Sequence, residues 1–306
     1  MTTSAVTGAF GYSGRYIARR LIDRGDQVVT LTNHPGKTNP FGDRIRVEPL
    51  DFSQPDALRK SLEGASTLFC TYWIRFPYGE MTHPRAVENS RVLFDAAKRA
   101  GVKRVIHTSI ANPSLGSPLS YYKGKAQVEE YLKSTGLSYA ILRPTVLFGG
   151  SDPAEDVLIN NIAWLLRRFP VFGMPGDGQY GIDPIHVEDL ADLALSVAGE
   201  KENLVMDAVG PEDFTFEQLV RLVREAVGSR ALIVPMPKPV ALAAATLLGW
   251  LVGDVMLTRE EVIGLTGNLL DSPGPRSGKI KLSEWLAQNA DLMGVRYASE
   301  VGRHFK

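Results

Sequence analysis

The earliest residues whose spacing could do chemistry are Thr7-Gly8-Ala9-Phe10-Gly11-Tyr12-Ser13-Gly14, a T-G-x-x-G-x-x-G run. One glycine permits a tight turn, the next lets backbone N–H groups approach a bound group, and the last lets a helix pack closely on the strand before it. A helix starting there would aim its unpaired N–H groups and the positive end of its dipole at the same point, as a diphosphate requires. The run therefore reads as a dinucleotide cradle built from Gly8, Phe10, Gly11, Tyr12, Ser13 and Gly14. The adenosine ribose of such a ligand is read about 20 residues further on, at the end of a second strand. Asn33, His34 and Lys37 stand there, with no carboxylate to accept from both ribose hydroxyls and repel a 2′-phosphate. This favours NADP, its phosphate met by Arg15, His34 or Lys37, with NAD as the alternative because Asn33 can serve its ribose. Asp51 and Phe52 follow a third strand and are placed for the adenine edge; a cap on a helix starting near Pro55 is the other reading of Asp51.

Positioning these groups requires alternating elements. Short β-branched runs at 4–7, 27–32, 46–50, 67–72, 102–109 and 138–142 read as strands, and 14–24, 86–100 and 123–134 as helices. Gly25, Gly101 and Gly136 each fall between a helix and a strand, where a left-handed residue ends a helix cheaply. The pattern predicts an α/β fold: a Rossmann-type doubly wound parallel sheet with a smaller, mainly helical C-terminal cap. The dinucleotide-binding domain is expected over 1–150, with a return at about 183–210, and the cap over 151–182 and 211–306. The apolar segment 240–257 is interrupted by Gly249, Gly253 and Asp254 and reads as a buried or interfacial cap helix. Membrane contact or a dimer surface is the alternative reading of that segment.

Four segments together resemble the short-chain dehydrogenase/reductase superfamily. They are the glycine run, 89–109 (NSRVLFDAAKRAGVKRVIHTS), 142–149 (LRPTVLFG) and 184–191 (PIHVEDLA). The likeness is to the extended, NAD-dependent epimerase/dehydratase-like branch and to atypical members similar to the complex I accessory subunit and the NmrA-like regulators. It implies a Tyr-x-x-x-Lys pair, supplied by Tyr121 and Lys125, which one helical turn brings to the same side. In the family the tyrosine phenol exchanges a proton with a carbonyl or alcohol, while the lysine lowers the phenol's pKa and holds the nicotinamide ribose. The resemblance also assigns a hydroxyl partner to Ser109, with Thr108 as substitute, and a water-positioning role to Asn89. It places Thr71 and Pro144 at the cofactor, and Tyr72, Trp73 and Asn112 at the substrate. His186 is expected to be structural, with Asp189 capping the helix that follows.

Two features depart from the family pattern. The chain has Thr71-Tyr72-Trp73-Ile74-Arg75-Phe76 where small residues are usual, and the 109–121 stretch is too short for a nucleotide-sugar enzyme. The expected function is hydride transfer between NADP(H) and a small carbonyl or alcohol; a non-catalytic NAD(P)H-binding accessory or redox-sensing protein is the alternative. Lys plus Arg total 34, as do Asp plus Glu, so nucleic acid is not expected as a partner. The single cysteine, Cys70, permits no internal disulfide and fits a cytoplasmic protein. No signal-peptide pattern precedes the first strand, membrane contact is not expected, and no metal constellation is visible. A homodimer through the helices 86–100 and 123–134 is carried over from the family.

Overall fold

The computed structural model describes residues 2–152 and 155–304. Its first half alternates β1 (Thr3–Thr7), α1 (Tyr12–Asp23), β2 (Gln27–Thr32), β3 (Ile45–Pro49), α2 (Pro55–Leu62), β4 (Thr67–Cys70), α3 (His83–Arg99), β5 (Arg104–Thr108), α4 (Ser120–Ser134) and β6 (Ser138–Pro144). The chain continues through β7 (Leu147–Phe148), α5 (Leu158–Arg168), β8 (Val171–Pro175), β9 (Gly181–Ile182), β10 (Ile185–His186), α6 (Val187–Ala198) and β11 (Leu204–Ala208). Last come β12 (Phe214–Thr215), α7 (Phe216–Ala226), β13 (Leu232–Met236), α8 (Lys238–Val252), α9 (Arg259–Thr266), α10 (Leu282–Asn289) and α11 (Glu300–His304).

A seven-stranded sheet in the order β11-β6-β5-β4-β1-β2-β3 forms the frame, with β1 to β6 paired in parallel. This is a Rossmann-like, doubly wound fold. Strand order reverses between β1 and β4, so the loops leaving those two strands diverge and open a crevice at their C-terminal ends. Leu58, Leu62, Leu93, Phe94, Val128 and Leu132 of α2, α3 and α4 bury one face together with Ala5, Leu31, Leu68, Val105 and Ile141. None of the buried residues of α1 belongs to that cluster, and α1 meets β1 and β2 from the other side, where Arg20 pairs with Asp192 of α6 at 2.6 Å. The predicted glycine stops hold: Gly25, Gly101 and Gly136 have φ of +89°, +83° and +78°.

The chain divides into two compact units, residues 1–143 with 190–207 and residues 144–189 with 208–306. The first is the sheet and its helices. The second has its own core, in which Phe148, Ile159, Ile162 and Leu166 pack with Leu219, Val220, Val223, Trp285 and Leu286.

Local chemistry shifts several predicted elements. Helix α3 starts at His83 because the Thr82 side chain accepts the Arg85 N–H and Pro84 occupies the first turn, where it loses no hydrogen bond. Helix α4 starts at Ser120, so Tyr121 sits in its first turn. Asp189 does not cap α6: its Oδ2 accepts the N–H groups of Lys279 and Ile280, both at 2.8 Å, and anchors a distant loop. The apolar 240–257 segment forms α8, closed by left-handed Gly253, and it is not buried. Within α8 only Ala241 and Gly249 are buried.

Candidate active site

The cradle follows from the glycines. Gly8 leaves β1 with φ +66°, receives a brace as its N–H donates to Leu31 O at 2.8 Å, and accepts the Gly11 N–H at 2.8 Å. A Cβ on Gly14 would lie 2.3 Å from Gly8 O and 3.1 Å from Thr7 O, so only glycine lets α1 begin this close to β1. Gly11 is the N-cap of α1 and provides no side-chain acceptor. The positive end of α1 faces this turn, and the residues fit a diphosphate. Phe10 turns into the core, and Tyr12 packs edge-on against Tyr16 at 6.4 Å.

At the end of β2 the predicted ribose readers occupy a turn. The His34 N–H donates to Thr32 Oγ1 and the Lys37 N–H to His34 O. Asn33 is exposed, and His34 and Lys37 are half-buried. Beyond β3, Asp51 is exposed and its Oδ1 takes both the N–H and the hydroxyl of Ser53, which holds its carboxyl below the usual range. Gln54, not Asp51, is the N-cap of α2, which removes the capping reading of Asp51. Phe52 packs on Tyr72 at 4.8 Å. Thr71 latches β4 to β1: its hydroxyl donates to Thr7 O at 2.6 Å and its N–H to Thr7 Oγ1 at 2.8 Å.

The reacting end is built on α4, where Tyr121, Lys125 and Glu129 recur every fourth residue along one face. Lys125 is 2% exposed and its ammonium donates to Thr108 O at 2.8 Å. Burial brings its pKa down to about 7, against the pull of Cys70 and Glu129. Trp73 covers this group: the Lys125 nitrogen stands 4.7 Å from the indole, and a Cβ on Gly124 would lie 2.9 Å from its rim. The same indole stacks on His83 at 5.9 Å, and both rings meet Tyr121 edge-on, at 5.9 and 5.6 Å. The Trp73 N–H is buried without an acceptor among the described residues.

Two residues assigned with Tyr121 are drawn elsewhere. The Ser109 hydroxyl donates to Glu129 Oε1 at 2.6 Å, because Glu129 is a buried carboxylate that needs donors. Arg143 supplies the others, through Nε at 3.0 Å and Nη2 at 2.5 Å. The Asn89 amide donates to the Tyr72 hydroxyl at 2.8 Å, while burial pushes the Tyr72 pKa up to about 12. Asn112 is exposed in a left-handed conformation, φ +53°. Pro144 is buried at the end of β6, where the second unit begins.

A family model described as NAD(P)H-binding matches residues 8–161, half of the chain. The chain belongs to this NAD(P)H-binding family. Quinone oxidoreductase 2 of Escherichia coli is 26% identical over 273 residues, 87% of this chain and 90% of that protein. The solved structure of that oxidoreductase complexed with NADPH shares the fold at a TM-score of 0.74 and 23% identity, covering 93% of this chain and 99% of the other. The mitochondrial NADH dehydrogenase [ubiquinone] 1 alpha subcomplex subunit 9 of Arabidopsis thaliana is 25% identical over 82% of this chain, which spans 64% of that subunit's length. A UDP-glucose 4-epimerase from Thermotoga maritima shares the fold at a TM-score of 0.67 and 19% identity, covering 95% of this chain and 98% of the other.

Within this NAD(P)H-binding frame the sequence reading missed Glu129, His83 and Arg143. Glu129 was legible in principle, four residues beyond Lys125. His83 was not: its ring nitrogen meets the Ser120 hydroxyl at 2.7 Å across 37 residues of chain, a contact no local pattern announces. His107, fully buried against Phe94, is held neutral by burial and by the nearby Lys125 ammonium. Among the described residues no three His, Cys, Asp or Glu side chains gather as a metal ion would require.

Proposed function

We propose that the protein is an NADPH-dependent reductase of planar, conjugated carbonyl acceptors, quinones being the class that fits best. The observation that carries this reading is the aromatic corner of Trp73, His83 and Tyr121, whose rings stack and meet edge-on within 6 Å. Flat rings favour flat ligands, and the bulk of Trp73 opposes a sugar. The similarity to a quinone oxidoreductase over most of both chains supports the same class.

Bound in the glycine cradle, the cofactor supplies a hydride to the acceptor. The chain's own residues do the rest. The amides of 8–14 fix the diphosphate, and His34 and Lys37 at the end of β2 favour a 2′-phosphate. The Tyr121 hydroxyl gives a proton to the acceptor oxygen, so that hydride plus proton complete a two-electron reduction. Lys125, charged on the acid side of about pH 7, stabilises the tyrosinate left behind. Trp73 and His83 keep water from the corner.

Ser109 bound to Glu129 and Lys125 covered by Trp73 also favour a second reading, a protein that retains NADPH without turnover. Stopped-flow absorbance of NADPH with a panel of quinones and ketones separates the two. Oxidation by quinones that falls at least about tenfold in Tyr121→Phe supports the reductase. Tight NADPH binding with no oxidation across the panel supports retention, and no dinucleotide binding by folded protein refutes both.

A further inference from the structure

A helix apolar on every side is ordinarily buried, yet α8 turns inward only the side that carries Ala241 and Gly249 and leaves the other outward. Lys238 at its first position is its sole charged residue. Val240, Leu247, Trp250 and Leu251 are 51%, 57%, 78% and 76% exposed, and their spacing of seven, three and one places them along one side. β13, just before it, adds Leu232 and Val234, 64% and 40% exposed and two apart, hence on one face of the strand. A monomer surface rarely carries an outward apolar helix stripe of this kind without a partner.

Charge indicates which partner. Residues 226–253 contain no Asp or Glu, and their two cations, Arg230 and Lys238, are exposed and form no ion pair among the described residues. The next acid, Asp254, is turned inward: its carboxylate accepts the Tyr297 hydroxyl and the N–H groups of Glu300 and Val301, all at 2.9 Å. A second copy would bring the same acid-free segment to this one, so Arg230 and Lys238 would meet no counter-charge from that segment. Lipid answers both needs, with acyl chains for the leucines and tryptophan and anionic headgroups for the cations. The helix does not cross: 15 residues rise about 22 Å against a hydrocarbon core of about 30 Å, and no helix among the described residues is long and apolar enough to span.

We propose that α8 and β13 form a docking surface for anionic membranes, with α8 lying in the headgroup layer and Trp250 and Leu251 inserted at its C-terminal end. This proposal is independent of the cofactor and of the acceptor. The experiment is co-sedimentation of the full chain with vesicles of phosphatidylcholine alone and of phosphatidylcholine with phosphatidylglycerol. It compares the wild type with Trp250→Ala/Leu251→Ala and with Lys238→Glu. Both apolar positions are more than three-quarters exposed, so the double variant keeps its fold, checked by far-UV circular dichroism and the melting temperature.

The expected result is partitioning onto phosphatidylglycerol vesicles, weaker on phosphatidylcholine, falling at least about tenfold in the double variant and severalfold in Lys238→Glu. Equal partitioning on both lipids overturns the anionic assignment. Failure of the folded wild type to bind either vesicle, or full binding by the double variant, overturns the docking surface. Light scattering that shows a lipid-free dimer, reduced to monomer by the double variant, overturns it in favour of a second copy.

Discussion

Lys125→Met removes an amine from the interior while keeping a side chain of similar length. In the native protein the amine is 2% exposed, and burial takes its pKa from 10.5 to about 7, against the favourable pull of Cys70 and Glu129. At about 1.4 kcal/mol per pKa unit, that shift corresponds to a penalty of up to about 5 kcal/mol for holding the charged form in the fold. The folded pKa lies below the unfolded one, so between about pH 7 and 10.5 the unfolded chain carries a proton that the folded chain has released. Stability therefore rises with pH across that window, and below it the full penalty is present. Methionine carries no such penalty, so the variant's advantage over the wild type is largest at about pH 6.5 and shrinks by about 2–3 kcal/mol by about pH 9.5. Any constant gain or loss in packing, including the lost bond to Thr108 O, cancels from this pH-dependent difference. Urea unfolding followed by circular dichroism at several pH values measures it. A gap that is flat with pH, or that widens as pH rises, would refute the account of Lys125 as a buried, charge-penalised amine.

Three further outcomes are expected. Gly14→Ala puts a methyl 2.3 Å from Gly8 O and forces α1 away from β1; NADPH binding by calorimetry should weaken at least about a hundredfold while the far-UV spectrum is retained. Glu129→Gln removes the buried charge that pairs with Arg143 and takes the Ser109 hydroxyl, and should cost about 3 kcal/mol in urea unfolding. Lys37→Glu places a carboxylate in the turn after β2 and should shift the ratio of NADPH to NADH affinity by about tenfold toward NADH, read from nicotinamide fluorescence titrations.

The frame was legible because its signals are local. Glycines that follow helices, an alternation of β-branched runs and helix-length segments, and a glycine run between β1 and α1 each act within a few residues, and the parallel sheet follows from them. The features that no local signal announced are decided by groups far apart in sequence. Ser109 looked available for Tyr121 until the fold set Glu129 beside it, and Asp189 looked like a cap until a loop 90 residues later came to its carboxylate. Asn89 and Tyr72 satisfy one another from α3 and the loop after β4. Helix α8 misled for a different reason: a segment apolar all round has no periodicity to say which side faces water.

The contact between Trp73 and Gly124 carries a consequence for comparing relatives. A methyl at position 124 would meet the indole at 2.9 Å, so the indole can lie where it does only while position 124 has no side chain. Homologues with a side chain at 124 should therefore lack a large aromatic at 73, and the pair would sort a broad family into members that can close this corner and members that leave it open.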